Sequence, residues 1–227
     1  MSKEVPHYTE HRQRIKKRFR ENGLQVFHDY EVLEFILTYA IKQKDVKPEA
    51  KALLERFKNF QGVLDAPVEE VAKVSGVGEH SALLLKLIKD CSDYYLREKI
   101  KKKDVVSSPE DLINFCRSSM AHQGDEQFRV IYLNAKNEII HDEIIQEGTV
   151  DQTAVYPRKI MEHALKEKAV ALIFVHNHPS GNPEPSAHDR DLTRTLIKAA
   201  EPFAITIHDH IIIGKKGFFS FREEGLI

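Results

Sequence analysis

The spacing between apolar residues changes once along this chain, and that change restricts it to folds with a helical front and a back half of mixed helices and strands. From about residue 11 to residue 99 the apolar positions recur at helical intervals: Val32, Leu33, Phe35, Ile36 and Leu37, then Ala50, Leu53, Leu54 and Phe57, then Leu83, Leu84, Leu87 and Ile88. A bundle of short helices buries stripes of this kind. Asp29, Pro48, and Asp65 with Pro67 stand where helices should start, because an oxygen acceptor or a proline suits the unpaired N–H groups of a first turn. Beyond Pro109 the texture differs. Residues 110–120 still read as helix, but 128–133 (FRVIYL) are β-branched and aromatic, and 138–146 form a second strand after the turn residues 134–137. Residues 157–166 read as helix, 170–178 as a buried strand, 187–200 as helix, and 205–213 and 217–221 as closing strands. The expectation is two domains: 1–104, all-α, and 105–227, an α/β or α+β domain around one mixed sheet. The charged stretch 97–104, with Lys101, Lys102 and Lys103 together, marks the boundary.

Composition narrows the class of protein. No run approaches the roughly 20 apolar residues of a membrane span, and residues 1–10 lack an apolar signal core, so a soluble, cytoplasmic protein with no membrane partner is expected. The two cysteines, Cys91 and Cys116, lack metal-type spacing, which excludes a disulfide framework and a cysteine zinc site. Any metal must be held by carboxylates and by some of the 12 histidines. The net charge of −1 hides an asymmetry: residues 1–106 carry 21 Lys+Arg against 17 Asp+Glu, and residues 107–227 carry 13 against 18. A basic half joined to an acidic half fits a division of labour, and a solvated helical surface accounts for the basic excess equally well.

The segment 176–189, HNHPSGNPEPSAHD, carries the chemistry. Side chains alternate along a strand, so His176 and His178 at a strand end point to one face and both imidazoles can reach one ion. The following loop is stiffened by Pro179, Pro183 and Pro185 and can return Asp189, in the first turn of the next helix, to the same point. Two histidines and an aspartate leave zinc an open position, the arrangement of a catalytic rather than a structural site. Ser186 followed three residues later by Asp189 is also a capping-box helix start, which needs no metal, and both readings can hold together. The contiguous His-Asn-His is not an HNH nuclease signature, whose letters are dispersed through a ββα unit.

His-x-His, seven residues, Ser, two residues, Asp is the signature of JAMM (MPN-plus) metalloenzymes, and His176, His178, Ser186 and Asp189 fit it without gaps. With Asp191-Leu192-Thr193 after it, Tyr156-Pro157-Arg158 upstream and Asp209-His210-Ile211-Ile212 downstream, the chain resembles the RadC family over nearly its whole length. That resemblance implies an N-terminal helix-hairpin-helix bundle and a C-terminal JAMM domain with a cytidine-deaminase-like mixed sheet. It implies Zn2+ bound by His176, His178 and Asp189, a proton-shuttling glutamate, and Ser186 steadying a tetrahedral oxyanion. Glu126, just before the strand 128–133, is the best match to that glutamate; Glu138, Glu143 and Glu147 are the alternatives.

Of the other polar residues, Asp209 is a candidate partner to a ligand imidazole, with His210 beside it on a strand the fold could bring near the site. His188 should point elsewhere on its helix, and His208, His163, His141 and His122 read as surface groups. Arg158 fits a substrate anion or a structural salt bridge equally well.

In the front half, Val74-Ser75-Gly76-Val77-Gly78 between two helical stretches resembles a helix-hairpin-helix turn, whose backbone N–H groups can meet a phosphate without reading sequence. Glu79 sits where that phosphate would meet its charge, so DNA backbone and a protein partner are both open. Arg12, Arg14, Lys16, Lys17, Arg18 and Arg20 would add phosphate contacts or form an exposed helix face. The function implied is a zinc-dependent hydrolase, a metallopeptidase or isopeptidase acting on a peptide or protein and linked to DNA repair or recombination. The alternative is a DNA-binding accessory repair protein with a vestigial or structural metal site. Zinc chemistry on a nucleobase is a third reading, against which the absence of Pro-Cys-x-x-Cys counts.

Overall fold

A computed structural model describes residues 7–42, 44–101, 103–148 and 155–227. Residues 1–6 of the stretch examined for a signal core, and Lys102 of the charged stretch, lie outside the described residues. The chain divides into two compact units, 1–92 and 93–227. The division falls within a long helix, Gly78–Ile100, instead of at the 104/105 position expected from charge. The reason is packing: Leu96 and Ile100 at the end of that helix belong to the core of the second unit.

The first unit is helical, built from α1 (His7–Asn22), α2 (Asp29–Ala40), α3 (Lys47–Phe57), α4 (Phe60–Asp65), α5 (Val68–Ala72) and the start of α6 (Gly78–Ile100). Leu33, Leu37, Ala50, Leu53, Val63, Val71, Val74 and Leu85 form its core. The stripe expected on α6 is corrected in phase: Leu83 and Leu87 are exposed, and the helix turns Ser81, Ala82 and Leu85 inward instead. Arg12 and Arg18 are engaged within the unit. Arg12 donates to the carbonyls of Ile41 and Lys44, both at 2.7 Å, in the segment that follows α2. Arg18 grips the Glu31 carboxylate with both terminal nitrogens, at 2.7 and 2.8 Å.

The second unit contains α7 (Pro109–Met120), β1 (Gln127–Leu133), β2 (Ile139–Glu147), α8 (Pro157–Lys166), β3 (Ala171–Asn177), α9 (Ala187–Ala200), β4 (Thr206–Ile213) and β5 (Phe218–Ser220). The sheet runs β2-β1-β3-β4-β5, antiparallel except for the β3–β4 pair, which α9 connects. Alternation along the strands splits the core in two. Ile131, Ile173, Val175, Ile211 and Ile213 face α7, while Val130, Tyr132, Leu172, Phe174 and Ile207 face α8 and α9. Every residue of the central strand β3 is buried. No described helix is long and apolar enough to cross a membrane.

Candidate metal centre

Three strand and helix ends meet where β3 stops. The end of β3 brings His176, and His178 just beyond it, to the α9 side of the sheet, and the loop after His178 leads into α9, whose third residue is Asp189. Glu126 arrives from the other direction: β1 pairs antiparallel with β3, with Phe128 opposite His176, so the residue preceding β1 lies beside the end of β3. One nitrogen or oxygen each from Glu126, His176, His178 and Asp189 lie within 4.8 Å of one another. His176 and Asp189 are buried, and Glu126 and His178 are partly exposed, so the group has one wet side.

The donor set fits a small divalent ion. A tetrahedral zinc with bonds of about 2.0–2.1 Å separates its ligand atoms by about 3.3 Å. Here His176 Nε2 lies 3.3 Å from Asp189 Oδ1, His178 Nε2 lies 3.5 Å from Asp189 Oδ2, and the two Nε2 atoms lie 2.9 Å apart. Glu126 Oε1 stands further off, 4.0 Å from His176 Nε2.

Groups that act only one way fix the proton positions. The Thr193 hydroxyl donates to the Asp189 carbonyl at 2.6 Å, so its oxygen accepts from His210 Nδ1–H, also at 2.6 Å. His210 is fully buried, and burial takes its pKa well below the usual value, so the ring is neutral and its Nε2 accepts from His176 Nδ1–H at 2.8 Å. His176 Nε2 is left as a lone pair directed at the centre. On the other imidazole, Nδ1 donates to the Asn182 carbonyl at 2.8 Å, which directs the Nε2 of His178 to the same point. Two imidazole lone pairs and a carboxylate repel one another unless positive charge lies among them. The raised pKa of His178, caused first by its bond to Asp189, is the same demand expressed as proton affinity.

A bulge decides which residue of β4 supports the site. Leu172 pairs with Ile207, but Ile173 pairs with Asp209, so β4 carries one extra residue there. The slip inverts the facing of everything beyond it. His210 comes to lie on the side of His176, while Asp209 turns to the α7 side and accepts from Ser220 Oγ at 2.6 Å and Arg222 N at 3.0 Å. The expectation for Asp209 is therefore corrected: His210 is the partner of the His176 imidazole, and Asp209 anchors the turn after β5.

Burial is the largest influence on the Asp189 carboxyl and pushes it upward, but the His178 and Ser186 hydrogen bonds and the charge of His176 outweigh it, holding the group well below the ordinary range. Burial pulls His176 down to about 4. Glu126 is raised, by burial and then by the Asp189 charge, against the opposing charge of His178. Ser186 caps α9 as its spacing predicts: its Oγ accepts from Asp189 N at 3.1 Å and donates to Asp189 Oδ2 at 2.6 Å, and its own N–H donates to that oxygen at 2.7 Å. Asp189 Oδ2 is thereby held by the cap, and Oδ1 is the atom closest to His176.

The remaining expectations divide. His188 is exposed on α9, and Arg158 lines an open groove with Met161, Leu165 and Phe203. His163 pairs with Glu143 at 2.5 Å, and His208 is half-buried against Asn137 at 2.9 Å, so neither is a plain surface group. Glu143 is committed to Tyr132 and His163, and Glu138 to Asn134. Asn177 and Thr193 carry no motif of their own; the signal for Asn177 is its place between His176 and His178, where alternation must turn it away from them.

In the first unit, two helices do flank a glycine turn. Gly76 and Gly78 have φ of 82° and 65°, and a Cβ on Gly76 would collide with the buried Glu49 carboxylate, which Lys44 pairs. A second acidic group thus lies under the turn, in addition to the exposed Glu79.

A family model described as RadC-like JAB domain matches residues 106–226, more than half of the 227.

Proposed function

The chain belongs to the RadC-like JAB domain family, and we propose that it is a zinc-dependent hydrolase of the JAMM type that cleaves an amide or isopeptide bond in a peptide or protein. The observation that carries this reading is the convergence of two imidazole nitrogens and Asp189 on one point, with the Glu126 carboxylate 4.0 Å from His176 Nε2. His176, His178 and Asp189 would hold the ion, which when bound supplies a water acidified to near neutral pH and a Lewis acid for the scissile carbonyl. Glu126 takes the proton from the attacking water and returns it to the leaving amine. Ser186 steadies the oxyanion by rotating its hydroxyl from Asp189 toward the developing charge. The helical unit delivers the site to its substrate by binding DNA or a protein partner, which ties the activity to DNA repair or recombination.

Purified protein should carry close to one zinc per chain by elemental analysis, and His178→Ala should lose it. Glu126→Gln should keep the metal yet cleave a panel of isopeptide-linked peptides about 10²–10⁴-fold more slowly. A wild-type chain that takes up no zinc on supplementation ends this reading. The Glu126→Gln variant, which binds and turns over slowly, is also the form on which cellular substrates should be captured.

A further inference from the structure

The ladder between β1 and β3 stops two pairs short of Glu126 and His178. Its last pair is Phe128 with His176, and continued pairing would set Gln127 opposite Asn177 and Glu126 opposite His178. At that point the Asn177 side chain replaces the backbone. Its Oδ1 accepts from Gln127 N at 2.8 Å and its Nδ2 donates to the Asp125 carbonyl at 3.0 Å, so one amide brackets Glu126 on both sides. The orientation of that amide is forced, since Gln127 N–H can only donate and the Asp125 carbonyl can only accept. Asn177 is fully buried, and the Glu126 carbonyl is separately held by Gly148 N at 3.0 Å.

We infer that Asn177 is a positioning residue for Glu126: by bracketing the 125–127 backbone it fixes the Glu126 carboxylate beside the centre formed by His176, His178 and Asp189. The inference rests on the proposed acid–base role of Glu126. The chemistry at this position is narrow. Asparagine offers a donor and an acceptor at the span between two peptide groups; serine is too short to reach both, and aspartate would set an oxygen against the Asp125 carbonyl. Alternation makes the arrangement economical, because a strand that presents His176 and His178 to one face necessarily presents residue 177 to the other.

The test uses the full chain loaded with cobalt(II), whose visible absorption changes with pH as the surroundings of the ion change. Glu126→Gln should shift the pH midpoint of that change relative to wild type. Asn177→Ala should keep about one cobalt per chain and shift the midpoint in the same direction by at least half as much. In the Glu126→Gln background, Asn177→Ala should add little further. Asn177→Asp, which preserves size, should behave as Asn177→Ala does. If Glu126→Gln moves the midpoint while both Asn177 variants bind cobalt and leave it at the wild-type value, the positioning role is overturned and the hydrolase reading stands. Loss of cobalt from both Asn177 variants also overturns it, since the residue would then support the whole site. A wild-type chain that binds no cobalt, or a Glu126→Gln chain with an unmoved midpoint, removes the hydrolase reading itself.

Discussion

At the scale of single residues, His210 shows how the His176 imidazole is oriented from behind. Its ring stacks on Phe221 at 4.9 Å, with Phe128 and Phe174 edge-on at 5.6 and 6.0 Å, so packing fixes the plane in which its two nitrogens bridge Thr193 and His176. His210→Phe preserves that packing and removes the acceptor, which leaves His176 Nδ1–H buried without a partner at a cost of about 1–3 kcal/mol. Zinc affinity, measured by competition with a chromogenic chelator, should fall about 10–100-fold. Asp209→Asn should leave that affinity near wild type and lower the melting temperature, because Asp209 serves the turn after β5. That His176 and His178 share a face was legible in sequence, because a period of two is all that this requires; their reading as metal ligands came from the family motif. The choice between Asp209 and His210 was not legible, because it depends on a one-residue slip in register at Ile173 that no local pattern records.

At the scale of elements, α2 and α9 start by the same device and use it differently. In each, a carboxylate at the third position reaches back to the N–H before the first turn: Glu31 Oε2 to His28 N at 2.9 Å, and Asp189 Oδ2 to Ser186 N at 2.7 Å. Asp189 has an oxygen left to face the imidazoles, whereas Glu31 gives both of its oxygens to Arg18. That Arg18 hydrogen bond holds the Glu31 carboxyl down at about 2, against 4.5 for an ordinary glutamate. A carboxyl depressed in the folded state stabilises it above the unfolded value, and the contribution is lost as pH falls from about 4.5 to about 2. Thermal unfolding across that window should show a fall in melting temperature that is shallower in Glu31→Gln. Start signals also explain why α8 and α9 are readable to the residue: Pro157 stands at the first position of α8, and Ser186 caps α9 one residue before it begins. The separate short helix α4 was not foreseen, because six residues offer too little periodicity and only the Asn59 side chain, accepting from Gly62 N at 2.7 Å, marks its start.

At the scale of the whole molecule, the +4 excess of residues 1–106 overstates what the helical unit can offer a phosphate backbone. Arg12 is committed to the end of α2 and Arg18 to Glu31, while the glycine turn has the Glu49 carboxylate beneath Gly76 and Glu79 in the first turn of α6. The N–H groups at the start of α6 attract a phosphate, and these two carboxylates oppose it, so any grip on DNA through this turn should be weak and limited by Glu79. Each phosphate neutralised adds about 0.9 to the slope of log affinity against log salt. If the turn meets the backbone, Glu79→Lys should therefore tighten binding of a duplex oligonucleotide and steepen that slope by about one. Glu49 is buried and paired with Lys44, so its replacement would disturb the turn and confuse the reading; Glu79 is exposed, and its substitution changes charge alone. The expected result is the steeper slope, measured by fluorescence anisotropy over a salt series. An unchanged slope would place the phosphates elsewhere and leave the helical unit to a protein partner, with the acidic second unit still free to act as the hydrolase.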